Sequence, residues 1–260
     1  MNNVSSLPLL LKQLKLMEMH KSWDDHEQEA KNNNLRYAKY LELLAELEVN
    51  ARYASKIKRY TKESKLPAGK NIETFKFEDI PSVNKKQIEA FADNTKWVNE
   101  CHNIILFGAS GLGKTHLASA IAYEVIKQGV RVLFTKTTSL VQKLQEAKKG
   151  YYLADSIAKL NKYQLLILDD IGYAKKDELE TSVLFELIAD RYETGSLIIT
   201  SNLAFSDWDK IFPDNMVAVA AIDRIIHHST IITLNGESYR KKNSSCKNIF
   251  ENGGENVIKN

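Results

Sequence analysis

From Asn103 the chain runs through a short apolar stretch into Gly108-Ala-Ser-Gly-Leu-Gly-Lys-Thr115, and then into a helix-forming segment ending near Gln128. No other stretch restricts the possible folds as strongly. Glycines let such a loop wrap closely, so that its backbone N–H groups point inward at an anion. The helix that follows adds the positive end of its dipole to the same place. At this spacing Lys114 would reach the β- and γ-phosphates of a nucleotide, and the Thr115 hydroxyl would bind Mg²⁺. Gly108, Ala109, Ser110, Gly111, Leu112, Gly113, Lys114, Thr115 and the following His116 are therefore the expected nucleotide contacts. A chance glycine-rich turn would need neither the strand before it nor the helix after it.

A loop of this kind belongs in an α/β sheet, and the flanking sequence supplies the strands. The runs Asn103 to Phe107, Arg131 to Thr135, Leu165 to Leu168, Ser196 to Thr200 and Thr230 to Leu234 lack polar alternation and are separated by helical segments. That pattern predicts a parallel sheet covered on both faces. Up to about Lys65, by contrast, there is no strand-like alternation. Leu7, Leu10, Leu14 and Met17 recur at helical spacing, with Ser5 or Ser6 as N-cap and Pro8 in the first turn. Asn32 to Asn34 break the pattern. A long second helix is expected from near Tyr37 to near Ser64, burying Tyr37, Tyr40, Leu41, Leu44 and Leu47. Pro67 and Gly69 mark a linker. The expected division is a helical region over 1–68, an α/β domain over 69–240, and a poorly ordered Asn-, Ser-, Gly- and Lys-rich tail over 241–260. With 43% hydrophobic and 27% charged residues, wholesale disorder is excluded.

Leu165-Leu-Ile-Leu-Asp169-Asp170 delivers two carboxylates at the C-terminal end of a buried strand, where open α/β sheets bind ligands. Asp169 would hold Mg²⁺ and Asp170 would orient or deprotonate an attacking water. Paired acids at a strand end also serve as helix caps or turn formers, but the glycine-rich loop upstream favours the metal reading. The loop from Gly172 to Lys176 would lie over the same end of the sheet. Thr200-Ser201-Asn202 leaves another buried strand there, and Asn202 is placed to hydrogen-bond the attacking water; its other use is as an ordinary turn residue.

The segments GASGLGKTHLA, LLILDDIG, ITSNL and IDRIIHHSTIITLNGESYR together resemble the AAA+ class, and within it the IstB family of transposition helper ATPases. YLELLAELEVNAR and IETFKFEDI extend the resemblance toward the N-terminus; the DnaC helicase loader and the DnaA initiator are relatives. The resemblance implies a P-loop AAA+ three-layer sheet of strand order 5-1-4-3-2, with a small all-α N-terminal domain and no full C-terminal lid. It implies an ATP- and Mg²⁺-dependent protein that oligomerises on double-stranded DNA, hydrolyses ATP, and recruits or stimulates a partner transposase. A DnaC-like helicase loader is the alternative. Lys114, Asp170, Asn202 and Arg224 are the implied catalytic set, with Arg224 matching an arginine finger that enters the neighbouring subunit's site. Arg240 resembles a sensor arginine at the nucleotide, and Arg191 is a further matching position, structural or at a subunit interface. Most AAA+ ATPases carry Glu where this chain has Asp170; the shorter side chain suits slow basal turnover.

Arg52, Lys56, Lys58, Arg59, Lys62 and Lys65 concentrate cations in the second helix, broken only by Glu63. They suit a phosphate backbone, or equally a solvated helix end; the family resemblance favours DNA, with Arg52, Lys56, Lys58, Arg59 and Lys62 as contacts. Lys143, Lys148 and Lys149 form a smaller patch after the second strand that could also touch DNA, though a solvated face is the preferred reading. Tyr53 and Tyr60, near the basic cluster, could stack on bases, with helix packing the preferred reading, and Trp208 reads as a packing anchor. A formal net charge of +3 says little about partners. Cys101 and Cys246 read as free thiols, and His102, His116, His227 and His228 have no ligand-like partners, so no metal site beyond a nucleotide-bound Mg²⁺ is expected. No apolar run approaches bilayer length, so no membrane is expected and the cytoplasm is the default location.

Overall fold

The structure is a computed structural model that describes residues 6–171, 178–203, 208, 222–236 and 238–239. It divides into two compact units, with the boundary between Lys62 and Glu63. The Gly172–Lys176 loop, Arg240, Cys246 and the tail over 241–260 lie outside the described residues.

The first unit is helical: α1 (Leu7–Gln13), α2 (Met17–Asn32) and most of α3 (Tyr37–Ser64). Ser6 precedes α1 but has helical backbone angles and makes no capping bond, while Pro8 occupies the first turn as expected. Two expectations are corrected here. Lys15 adopts φ +57° and breaks the helix between Leu14 and Met17, so their helical spacing spans two helices instead of one. The buried stripe of α3 is also narrower than its periodicity suggests. Leu44 is buried, but Tyr37 is 94% and Leu41 61% exposed. A three-helix unit this small has room inside for one fully buried apolar residue per helix, and Leu11, Met19 and Leu44 are those residues. Beside them is buried Glu48, whose carboxylate accepts the N–H groups of Glu18 (2.8 Å) and Met19 (3.3 Å) at the start of α2. Arg52 donates both to Glu48 (2.8 Å) and to the Lys15 carbonyl (2.9 Å). Glu48 therefore supplies the cap that Leu16, with no side-chain acceptor, cannot.

The second unit carries the sheet. Its elements are α4 (Lys85–Asp93), α5 (Lys96–Asn99), β1 (Asn103–Gly108), α6 (Lys114–Lys127), β2 (Val132–Lys136), α7 (Thr137–Lys149), α8 (Leu153–Leu160), β3 (Leu165–Asp169), α9 (Glu178–Arg191), β4 (Ser196–Ser201) and β5 (Ser229–Leu234). All pairings are parallel, in the order β2-β3-β4-β1-β5. Read from the other edge, this is the order implied by the resemblance. Alternate residues of each central strand face opposite layers. Ile105, Phe107, Leu166, Leu168, Leu197 and Ile199 pack with Leu140 and Leu144 of α7 and with Val183, Leu184 and Leu187 of α9. Trp208 is fully buried in the same layer, its ring edge-on to Phe107 at 5.7 Å. Ile104, Leu106, Ile167 and Ile198 face the other way, where α6 is buried through Leu117, Ile121 and Val125. Burial on both faces is why these strands carry no polar alternation.

Connections lead from β1 to the far edge at β2, back through β3 to β4, and finally to β5 on the other side of β1. The chain therefore reverses direction at β1, and the crevice beyond the strand ends there is the place for a ligand. No helix among the described residues is long and apolar enough to cross a membrane.

Candidate functional site

Gly108 to Thr115 leave β1 and enter α6 directly. Two glycines there are demanded by geometry. A Cβ on Gly108 would lie 2.4 Å from the Leu234 carbonyl of neighbouring β5. One on Gly113, at φ +89°, would lie 2.8 Å from the Phe75 ring. The Lys114 ammonium is buried and donates to the Gly108 (2.7 Å) and Ala109 (3.0 Å) carbonyls, so it lies inside the loop's own curve. Ser110, Gly111, Leu112, Gly113, Lys114, Thr115 and His116 line a cavity of about 560 Å³, a size suited to a small-molecule ligand.

Across from the loop, β3 ends at Asp169. Its Oδ1 accepts hydrogen bonds from Thr115 of the loop (2.9 Å) and from Thr200 of β4 (2.8 Å). The Thr200 hydroxyl in turn accepts the Asp170 N–H at 2.8 Å. Thr137, the first residue of α7, donates to the Asp169 carbonyl at 3.0 Å. One carboxylate thus joins the ends of β3 and β4 to the start of α6, and one threonine anchors both acids. Asp170 holds φ +64°, a left-handed conformation that aspartate tolerates better than most residues. Asp170 and Asn202 both line the cavity.

The far wall of the cavity was missed from sequence. The 3₁₀ turns Ile72–Thr74 and Phe77–Asp79 bring Thr74, Phe75, Lys76 and Asp79 to it, with Ile80 behind. His116 faces this wall, its Nε2 2.9 Å from the Asn71 carbonyl and 3.1 Å from the Thr74 hydroxyl, its ring edge-on to Phe75. Tyr239 joins it from the C-terminal side, donating its N–H to the Gly111 carbonyl at 3.1 Å. Lys136, last residue of β2, is exposed and lines the cavity beside Asp169. Thr200 had a visible signal, a hydroxyl at the C-terminal end of an otherwise apolar buried strand; the wall had none, because its residues come from irregular chain.

Arg224 lies elsewhere. It sits on a helical turn over 222–227, with its guanidinium 5.1 Å from the centre of the Phe185 ring. Asn103 fastens this turn to the beginning of β1, donating to the Ile225 carbonyl at 3.2 Å and accepting the Leu197 N–H at 2.8 Å. Gly108 is at the opposite end of β1, about 16 Å away at strand rise. Arg191 is 2% exposed and donates to the carbonyls of Tyr163, Gln164 and Ser196 at 3.0–3.1 Å. Burial lowers its pKa to about 10, which still leaves it cationic at neutral pH. It is a structural cation. In the helical unit, Lys56 stands over the Tyr53 and Tyr60 rings at 6.0 and 5.3 Å and Arg59 over Tyr60 at 5.5 Å. Lys58, Arg59, Lys62 and Lys65 are exposed, whereas Arg52 is engaged with Glu48.

A family model described as IstB-like ATP binding protein matches residues 9–247. An insertion-sequence ATP-binding protein of Sinorhizobium fredii (strain NBRC 101917 / NGR234) is 45% identical over 92% of this chain and 80% of its own. The ATP-binding protein of insertion sequence IS21 from Pseudomonas aeruginosa is 36% identical over 91% of this chain and 89% of its own. Among solved structures, the DnaC helicase loader has a TM-score of 0.53 at 22% identity, covering 68% of this chain and 99% of that one. AMPPCP-bound DnaA from Aquifex aeolicus has a TM-score of 0.54 at 21% identity, covering 66% and 51%. At these identities the two structures are similar in fold.

Proposed function

The chain belongs to the IstB-like ATP-binding protein family, and on that premise we propose that it is a P-loop ATPase that assembles on double-stranded DNA and recruits or stimulates a transposase. The observation that carries the enzymatic half is the junction of Thr115, Asp169 and Thr200, with Asp170 held beside it. The Thr115 hydroxyl and Asp169 carboxylate put two hard oxygen ligands side by side, which fits Mg²⁺. Bound there, Mg²⁺ would neutralise charge on the nucleotide's phosphates.

The chain's own residues supply the rest. Amides of Gly108–Thr115 and the Lys114 ammonium hold the phosphates. Asp170 takes up or orients a water's proton, and Asn202 positions that water. Arg224 serves the site of a second copy, since it lies at the end of β1 remote from its own loop. A guanidinium stabilising the developing charge accelerates such transfers by roughly 10³-fold or more. Residues 1–68 act as the DNA- or partner-binding region, with Lys56, Lys58, Arg59 and Lys62 on phosphates, 69–240 as the ATPase domain, and the cytoplasm as the place of action.

The test is ATP turnover with and without double-stranded DNA, at several protein concentrations, beside Lys114→Ala. The reading expects stimulation by DNA that rises more than linearly with protein and disappears in the variant. Turnover that ignores DNA and scales linearly would leave a simpler nucleotide-using enzyme. Preference for single-stranded DNA would favour helicase loading instead.

A further inference from the structure

The run of β2 ends on a cation, Lys136, where the run of β3 beside it ends on Asp169 and Asp170. In the parallel register Lys136 is the partner of Asp169, and Leu168 that of Ile199, which sets Asp169 beside Thr200. Partners across a parallel ladder share one face of the sheet. The Asp169 carboxylate meets Thr200 at 2.8 Å and Thr115 of the loop at 2.9 Å, so this face is the one that carries the loop. Lys136 therefore emerges in one row with Thr200 and Asp169, at the outer end. Adjacent strands lie about 4.8 Å apart, and a lysine's flexible four-carbon stem is longer than that.

The fold makes no use of this ammonium. Lys136 is exposed, and its side chain makes no hydrogen bond or ion pair among the described residues. Its ladder partner Asp169 accepts two hydroxyls instead. Other cations lining the cavity are engaged: Lys114 with the loop carbonyls, and Lys76 over the Tyr239 ring at 5.8 Å. The cavity also has a direction. Ile80 and Leu112 border Gly236 just past β5, on one side of the loop, and give that end an apolar lining suited to a base. Lys136, Asp169 and Asp170 come from β2 and β3, on the other side. A nucleotide held by the loop, with its metal at Thr115 and Asp169, extends its terminal phosphate toward that second end. The phosphate there faces two carboxylates, and a further ammonium offsets their repulsion.

We propose that Lys136 is a second phosphate-binding lysine, which grips the γ-phosphate within its own subunit and lets the site tell ATP from ADP. The inference rests on the ATPase reading above. The test titrates the full-length protein, without DNA, against fluorescent ADP and a fluorescent non-hydrolysable ATP analogue at low and saturating Mg²⁺. Lys136→Met keeps the stem and removes the charge; at an exposed position it should melt as the parent does. Its affinity for the ATP analogue should fall roughly tenfold, the loss of one charge-assisted hydrogen bond, with ADP affinity unchanged. Lys136→Arg, which keeps the cation, should retain most of the preference for the analogue. Equal loss on both nucleotides would overturn the inference. So would parent-like affinity for both, which with weakened DNA binding would make Lys136 a DNA contact. A loss confined to low Mg²⁺ would also overturn it, because Lys136 would then act on the acids that hold the metal. A parent protein that binds both nucleotides yet turns over no ATP would refute the ATPase reading alone, and the affinities would still decide the inference. A parent that binds neither would refute both.

Discussion

Thr200→Val removes one oxygen from the centre of the site and leaves its shape nearly unchanged. That oxygen donates to Asp169 and accepts the Asp170 N–H, both at 2.8 Å, in a residue 1% exposed. A hydrogen bond to a charged group is worth ~1.5–3 kcal/mol, and one to a backbone amide about 1. Thr115 keeps its own bond to the same Asp169 oxygen, so part of the first term survives. The net loss should be about 2 kcal/mol, or roughly 4–8 °C in Tm for a chain of this size. Turnover should fall further, because both acids lose their common anchor; misplacement of reacting groups by an ångström can cost ~10²-fold. Lys114 and the loop amides are untouched, so KM for ATP should change little while kcat drops. Thr200→Ser, which restores the hydroxyl, should recover most of kcat. Steady-state ATPase kinetics and thermal melts of the three proteins decide it. A valine variant with parental kcat and Tm would refute the idea that Thr200 positions the acids.

Glu48→Gln should loosen the start of α2, seen as faster hydrogen exchange at Glu18 and Met19. Burial alone would raise the Glu48 pKa, but the bonds from Arg52, Glu18 and Met19 outweigh it and hold the carboxyl below its ordinary value of 4.5. Its stabilisation is therefore present above about pH 4.5 and lost as pH falls through the lower folded value, so melts of the glutamine variant should depend less on pH in that window. Arg191→Met should cost ~3 kcal/mol by stripping the Tyr163 and Ser196 carbonyls of their shared donor, while the Gln164 carbonyl keeps the Ser196 N–H; this is read as a lower urea midpoint. Gly195→Ala should act in the same direction, since its Cβ would lie 2.5 Å from a pinned Arg191 nitrogen. Arg224→Ala and Asp170→Asn should each lose ATPase activity by ~10²-fold or more, and mixing the two should restore a measurable fraction; no recovery on mixing would count against action between subunits.

The five strands, the loop at β1 and the acids at the end of β3 were legible because each depends on neighbours a few residues away. Burial on both faces demands unbroken apolar runs, and where polar side chains return, the strand has reached its ligand end. The long helix from Tyr37 to Ser64 was equally plain, but its buried face was not. Periodicity marks which residues could be covered, and the small size of the first unit left Leu41 and Tyr37 in solvent. Tertiary structure alone decided that Glu48 caps a helix 29 residues away, that Arg52 holds Glu48 in place, and that Arg191 bonds carbonyls from two other segments. It also placed Thr200 between the two acids and Arg224 at the far end of β1. A hydroxyl or a guanidinium carries the same chemistry wherever it lies, and its use is set by the unpaired groups that distant chain brings within three ångströms.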